Sequence, residues 1–526
     1  MKILVSDPLA ESGIRKLQSV SDFEVEVNTS LTHEELLNII KEYDALVIRS
    51  GTKATAEIIE AANRLKVIAR AGIGLDNVDI GAATKRGIVV MNTPEGNVIT
   101  TAEHAIAMMM AVTRNIPQAS QSLKAGKWEK KRFRGHEVFN KVLGIIGIGR
   151  IGRVVAERAK GLKMNVIAYD PYINAELVER LGIDWVPLDE LYARSDYITV
   201  HTPVTQETRN LIDAQAFAKM KKGVYLINCA RGGIVNEEDL YEAVQGGVVA
   251  GAALDVFERE PPGDNRLLSL DQVIATPHLG ASTDEAQENV AVAVADQVID
   301  YLGSGTIRNA VNAPSIDGED LARMQPYLTL TEKLGSLLAQ ITPGPVEAVS
   351  IDYIGDISSA DTHPLTISAL KGILTPVLGD EVNFVNASVH AKERNIKVTE
   401  SRKGDAEDFT NLVSIRLKSS TTENTVAGTI FGKKDVRLVR LNEFRTEAPM
   451  EGHVLLIYSK DTPGTIGAIG VCLGKNKINI DMMDVGQVIE RGENIVLVRT
   501  NVSVPPEVIR ELLDIENVHV AQMLEL

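Results

Sequence analysis

The sequence predicts an α/β chain with two doubly wound lobes, followed by an α+β unit and a small unit in β-α-β-β-α-β order. Three observations carry this reading. Short apolar runs alternate with helix-period stretches through residues 1–302, a rhythm that builds parallel sheets covered by helices. That rhythm breaks at SGTIRNAVNAPSI, whose Gly, Asn and Pro mark a boundary. And 526 residues are too many for one hydrophobic core.

The elements follow in order. KILVSD, FEVEV, ALVIRS, VIARA and GIVVMN read as strands, with helices between them over 32–42, 55–62 and 78–86 and a longer helix over 100–114. The alternation restarts with VLGIIG, NVIAYD, YITVH, VYLINCA, AALDV and VIATP, and residues 283–302, rich in Ala and Val, form one more long helix. Beyond the boundary, 347–352, 397–400, 412–417 and 425–430 read as strands, and GKKDVRLVRLNEF as one hairpin strand. The last unit runs strand HVLLIYS, helix TIGAIGVCLGK, strands INIDMMDVG and NIVLVRTN, helix PPEVIRELLD and strand VHVAQML. The expected domains are 1–97 with 281–306, then 98–280, 307–451 and 452–526.

Composition narrows the function. A formal charge of −16 argues against nucleic acid, whose phosphates need a basic footprint, but leaves room for a small anion at a local Arg cluster. Two cysteines, Cys229 and Cys472, cannot make a disulfide framework, which fits a reducing compartment. With no basic leader and no apolar run long enough to span a bilayer, the expected location is the cytoplasm. No metal-ligand spacing stands out.

Gly147-Ile148-Gly149-Arg150-Ile151-Gly152 closes one strand and opens one helix, and the following strand ends in Asp170 at the distance a dinucleotide fingerprint requires. Gly147 allows the tight turn, Gly149 lets backbone approach a pyrophosphate, and Gly152 lets helix pack on strand. The free N–H groups at the helix start favour phosphate. Asp170 can accept both hydroxyls of a ribose and would repel a 2′-phosphate, which selects NAD over NADP. Arg231, Glu260 and His278 then fall just past three successive strands, where open α/β sheets bind ligands. Each has a bland explanation alone, as a surface ion pair, a solvated acid and a turn histidine. Together they supply a fork for a carboxylate, a base for a hydroxyl proton and an acid to orient that base.

The set IGIGRIG, YDP, HTPVTQETRN, NCARGGIVNEEDL, ALDVFEREPP and TPHLGAST resembles the D-isomer-specific 2-hydroxyacid dehydrogenase family over residues 1–306. The resemblance implies two Rossmann-like lobes, carboxylate binding by Arg231, support of the imidazole by Glu260 and acid/base work by His278. It also implies NAD contacts at Arg150, Ile151, Asp170, Thr202, Pro203, Cys229, Ala230, Arg231 and Asp255, and from His278 through Leu279 and Gly280 to Ala281. His201 and Cys229 are expected to be structural neighbours. VIRSGTK, RAGIGLDNVD and GKWEKKRFRG are similar to the members that act on a phosphorylated hydroxy acid. On that likeness Arg49 and Ser50 would hold a phosphate, Gly72, Ile73 and Gly74 would offer N–H groups to the carboxylate, and Asn97 would line the substrate lobe. Trp128, Lys130 and Arg132 lie on a basic stretch that either reaches a neighbouring subunit or is a solvated charge run on a dimer arm.

The last unit resembles an ACT domain, an amino-acid sensor, with Asp461, Gly464 and Asn479 as effector residues and L-serine as the implied effector. Serine-inhibited relatives carry an aromatic residue or His where this chain has Ser459. Residues 307–451 resemble the intervening domain of the longer members, and a homodimer or homotetramer is implied. The alternatives are a reductase of glyoxylate, hydroxypyruvate or 2-oxoglutarate, and an NAD-sensing binding protein.

Overall fold

The computed structural model describes residues 1–525 except 174, 315–317, 405–407 and 489–491. The first sheet joins β1 (Lys2–Val5), β2 (Glu24–Val27), β3 (Ala45–Ile48), β4 (Val67–Arg70) and β5 (Val89–Asn92) in the order β2-β1-β3-β4-β5, every pair parallel. The central strand β3 is buried along its whole length, because helices cover both faces of a parallel sheet. Helix Glu11–Gln18, which the sequence reading did not anticipate, lies on one face.

The second sheet joins β6 (Val142–Ile146), β7 (Asn165–Tyr169), β8 (Asp184–Trp185), β9 (Tyr197–Val200), β10 (Val224–Asn228), β11 (Val249–Leu254) and β12 (Val273–Ala275). Its order, β12-β11-β10-β9-β6-β7-β8, reverses direction between β6 and β9, and that is where a parallel sheet opens a crevice.

Two long helices cross between the lobes. Helix Val98–Thr113 packs on helix Arg150–Gly161 and β11 of the second lobe. Helix Asp284–Ser304 runs back onto the first lobe, burying Val290, Val294 and Val298. At Gly13 it approaches so closely that a Cβ would strike the Ala291 carbonyl. The helix starts meet in the seam, where Thr101 Oγ1 donates to the Gly280 carbonyl at 2.9 Å. Closure of one lobe on the other would therefore bend at 98–101 and 280–284.

The third sheet holds β13 (Val346–Gly355), β14 (Lys397–Lys403), β15 (Asn411–Ser419), β16 (Glu423–Phe431), β17 (Asp435–Leu441) and β18 (Phe444–Pro449) in the order β14-β13-β15-β16-β17-β18. Helices Gly318–Ile341 and His363–Leu378 pack against each other in this unit, and the sequence reading named neither. Both contain an internal proline, and His363–Leu378 is buried on nearly all sides, which erases the amphipathic period. GKKDVRLVRLNEF supplies the hairpin strand β17 and the turn at Asn442, φ 52°, after which β18 pairs back on it.

The fourth sheet, β20-β21-β19-β22, is antiparallel: β19 (His453–Lys460), β20 (Ile480–Val488), β21 (Glu493–Thr500) and β22 (Val518–Glu525), with helices Thr465–Lys475 and Pro506–Leu513. Val454, Leu456, Ile495, Leu497 and Leu524 belong to the same buried cluster as the third unit, so the last two units share a core. Among the described residues no helix is long and apolar enough to cross a membrane, and no group of three or more His, Cys, Asp or Glu could hold a metal ion.

Candidate active site

The dinucleotide turn sits at the switch point. Gly147 has φ +92°, and a Cβ there would run into His201 and Thr202 at the end of β9. A Cβ on Gly152 would strike the Gly147 carbonyl, so this glycine lets the helix close on the turn itself. Gly149, by contrast, has nothing near its missing side chain. Helix Arg150–Gly161 begins at Gly149 without a side-chain cap, leaving its first N–H groups for a ligand.

Two buried polar atoms beside the turn, Thr202 Oγ1 and His201 Nδ1, lack a protein partner. Asp170 stands on the rim, where its Oδ2 accepts from Ile148 N at 3.1 Å and its Oδ1 from Tyr172 N at 2.9 Å. It braces the turn while staying partly exposed, and the donor set fits a dinucleotide. Burial pushes the His201 imidazole down to about 4, and burial together with the Asp255 charge pushes the Cys229 thiol up.

Arg231, Glu260 and His278 come from the carboxyl ends of β10, β11 and β12, three neighbours in one sheet. Arg231 reaches across the cleft: its Nε donates to Asp76 Oδ2 at 3.0 Å on the other lobe, and its guanidinium lies where a Cβ of Gly74 would be. Glu260 is pinned at both oxygens, Oε1 accepting from Phe257 N at 3.1 Å and Oε2 from His278 Nδ1 at 2.8 Å. An ionised carboxylate can only accept, so His278 carries its proton on Nδ1 and keeps Nε2 free to take another. The hydrogen bond to Glu260 raises the His278 pKa above the usual histidine value, with burial and Arg231 pulling the other way. Burial alone would raise Glu260, but the bond and charge of His278 and the Phe257 N–H outweigh it, so Glu260 stays ionised below its ordinary value.

The sequence reading put Asp255 among the cofactor contacts, and in the structure its side chain turns inward. Its side chain has no exposed surface and is satisfied by Thr276 Oγ1 at 2.5 Å, Leu279 N at 2.7 Å, Gly280 N at 2.8 Å and His104 Nε2 at 3.2 Å. Asp255 thus anchors the loop that holds His278 in its left-handed conformation, φ 54°. Burial would raise its pKa, and the bonds from His104, Thr276 and Leu279 more than offset that. His104, on helix Val98–Thr113, is a residue the sequence reading missed.

On the substrate lobe, Gly72 takes φ +152° and donates from N to Thr93 Oγ1 at 2.8 Å, and the Ile73 carbonyl accepts from Asn92 Nδ2 at 2.6 Å. Arg49 and the exposed Ser50 follow β3, and the Arg49 carbonyl accepts from Arg70 Nε at 3.1 Å. Asn97 precedes helix Val98–Thr113 without capping it, and its buried Oδ1 lacks a partner.

Arg70 was also missed, although it opens the motif RAGIGLDNVD. Its guanidinium lies beside Gly72 and Gly74, next to Arg231, and burial and then the Arg231 charge push its pKa down to about 10. Arg70 is thus a third cation near Arg231 and Arg49.

The effector residues do not meet within one chain. Asp461 follows Lys460, which pairs with Glu493, whereas Asn479 precedes Ile480, which pairs with Thr500. The length of β21 lies between them, about 25 Å at strand rise. Asp461 Oδ1 accepts from Asn494 Nδ2 at 3.1 Å, and Gly464 starts helix Thr465–Lys475 with φ +96°. Asn479 Nδ2 is bound instead to Asp481 at 3.0 Å. The ACT resemblance grouped these residues in one site, and strand register places Asp461 and Asn479 at opposite ends of β21.

A nucleotide turn and an Arg, Glu and His set at the carboxyl edge of one sheet, facing a second lobe, define an NAD-dependent dehydrogenase of 2-hydroxy acids. Residues 106–280 match the NAD-binding domain of D-isomer specific 2-hydroxyacid dehydrogenases, 323–442 the D-3-phosphoglycerate dehydrogenase intervening domain, and 453–517 the ACT domain. The chain is 45% identical to a D-3-phosphoglycerate dehydrogenase of Archaeoglobus fulgidus over all of both chains, and 45% identical to one of Methanocaldococcus jannaschii over 98% of each. A D-lactate dehydrogenase of Aquifex aeolicus, solved with NAD and lactic acid, covers 60% of this chain and all of its own at 30% identity and a TM-score of 0.53. The chain belongs to the D-3-phosphoglycerate dehydrogenase family, and NAD is its cofactor.

Proposed function

We propose that this chain oxidises D-3-phosphoglycerate to 3-phosphohydroxypyruvate with NAD, the first step toward L-serine, and that L-serine regulates it. The observation that carries the reading is the Glu260–His278 pair, at 2.8 Å, faced by an Arg231 that bridges to the substrate lobe. NAD, when bound, accepts the hydride from the hydroxyl-bearing carbon. Arg231 grips the carboxylate with its fork, aided by the N–H groups of Ile73 and Gly74, since Gly72 N is engaged by Thr93. Arg49, Ser50 and Arg70 hold the phosphate, and Asn97 lines the pocket between. His278 Nε2 takes the hydroxyl proton, and Glu260 stabilises the imidazolium that results. Gly147, Gly149, Gly152 and the first turn of helix Arg150–Gly161 hold the diphosphate, and Asp170 the ribose.

The working units are 1–97 with 281–306 for substrate, 98–280 for NAD, 307–451 between, and 452–526 for the effector. Because Asp461 and Asn479 lie at opposite ends of a strand, the serine site takes Asp461 and Gly464 from one copy and Asn479 from a second. Such a shared site would need a homodimer or homotetramer. Trp128, 83% exposed, stands on the loop whose Arg132 pairs with Asp271, a surface suited to the same assembly.

The test is absorbance at the NADH band with D-3-phosphoglycerate, D-glycerate and D-lactate, each with and without L-serine. A phosphate held by guanidinium groups should favour the phosphorylated acid by about 100-fold in kcat/KM. Equal or better use of an unphosphorylated acid would sink the substrate assignment.

A further inference from the structure

The third unit carries a bowl of about 540 Å³ between helix His363–Leu378, helix Ala387–Glu393 and the edge strand β14. That size suits a small molecule. Leu370, Ala391, Ile396 and Val398 give it an apolar wall, while Glu400 and Lys392 place opposite charges on the same concave surface. Among the described residues neither Glu400 nor Lys392 has an ion-pair partner.

Glu400 is positioned with care. Its Oε1 accepts from Thr366 Oγ1 at 2.7 Å and its Oε2 from Thr362 Oγ1 at 3.2 Å, both threonines being buried. Behind them, the buried Tyr353 hydroxyl meets Thr366 at 2.7 Å and Arg402 Nη2 donates to Thr362 at 2.8 Å. This network fixes the carboxylate and still leaves each of its oxygens a free lone pair. The helix bearing Lys392 is equally fixed, because Asn386 at its start and Asn383 just before it donate to the Lys85 and Gly87 carbonyls of the substrate lobe at 3.5 and 2.8 Å. A preorganised acid, an unpaired ammonium and an apolar wall match a zwitterion with an apolar side chain.

We propose that this bowl binds an α-amino acid with an apolar side chain, its ammonium on Glu400, its carboxylate on Lys392 and its side chain against Leu370 and Ile396. The site is separate from the Asp461 region and does not depend on the dehydrogenase reading.

Calorimetric titration of the full chain tests it, with L-leucine as probe. L-Leucine should bind saturably, and 4-methylpentanoate and isopentylamine, which lack one charge each, should bind about tenfold more weakly or worse. Glu400→Gln, which keeps an acceptor for the threonines, and Lys392→Ala, at an exposed position, should each weaken binding by a similar factor, while Asp461→Ala should not. Three results overturn the proposal: no saturable heat from L-leucine up to about 10 mM, unchanged affinity in both Glu400→Gln and Lys392→Ala, or loss of binding in Asp461→Ala.

Discussion

Replacing Glu260 with Gln removes one charge and leaves the shape, and the structure says how it should fail. Phe257 N donates to Oε1 at 3.1 Å, so the amide oxygen of the substituted side chain would stay on Phe257 and the amide NH2 would turn to His278. An NH2 donating to Nδ1 forces the imidazole proton onto Nε2, the atom that must accept the substrate proton. The lost hydrogen bond to a charged partner sets the lower limit. Such bonds are worth about 1.5–3 kcal/mol, and because His278 and Glu260 are 46% and 39% exposed the low end applies, about tenfold in rate. The tautomer trap sets the upper limit, since an acid-to-amide change behind a catalytic histidine can reduce turnover by about 10⁴.

Oxidation rates of the hydroxy acid, followed by NADH absorbance from pH 6 to 10, should therefore fall by about 10–10⁴-fold in kcat/KM. The sign of the pH effect is also determined. Glu260 raises the His278 pKa, so the neutral base of the native chain is available only above that raised value. Without the carboxylate, the acid limb moves to lower pH. A Glu260→Gln chain with a native rate and a native acid limb would refute the reasoning.

Arg231→Ala should raise KM for the hydroxy acid and lower kcat/KM by about 10²–10³-fold while leaving NAD affinity, read by fluorescence titration, near native. Equal loss of NAD binding would place Arg231 on the cofactor instead. Arg70→Met should raise KM for a phosphorylated acid more than for an unphosphorylated one, and parallel changes would remove Arg70 from the phosphate pocket. Gly232→Ala pushes a methyl into the Phe257 carbonyl, on the loop that leads to Glu260. It should destabilise the fold by about 1–3 kcal/mol in thermal unfolding and slow turnover as well. A native Tm would show that this loop yields.

Much of the site was legible because local chemistry dictates it. A strand that must turn sharply into a helix needs Gly147 and Gly152, and Arg231, Glu260 and His278 each follow an apolar run whose end a parallel sheet places at one edge. What sequence order could not supply was the partner of each side chain. Asp255 reads as one more acid at a strand end, yet four donors from other segments enclose it. Arg70 stood inside a recognised motif, and only the approach of Arg231 from the opposite lobe shows why it is there. The helices of the third unit escaped for the reverse reason: a helix buried all round carries no amphipathic signature.

By itself the chain's order of residues determined the two wound lobes, the nucleotide turn and the three strand-end side chains, because backbone sterics and hydrophobic period act over a few neighbouring residues. Tertiary structure alone decided that Asp461 and Asn479 part company, that Asp255 turns inward, and that Glu400 and Lys392 share a bowl. These depend on strand register and on segments far apart in the chain meeting in space, and no local pattern encodes either.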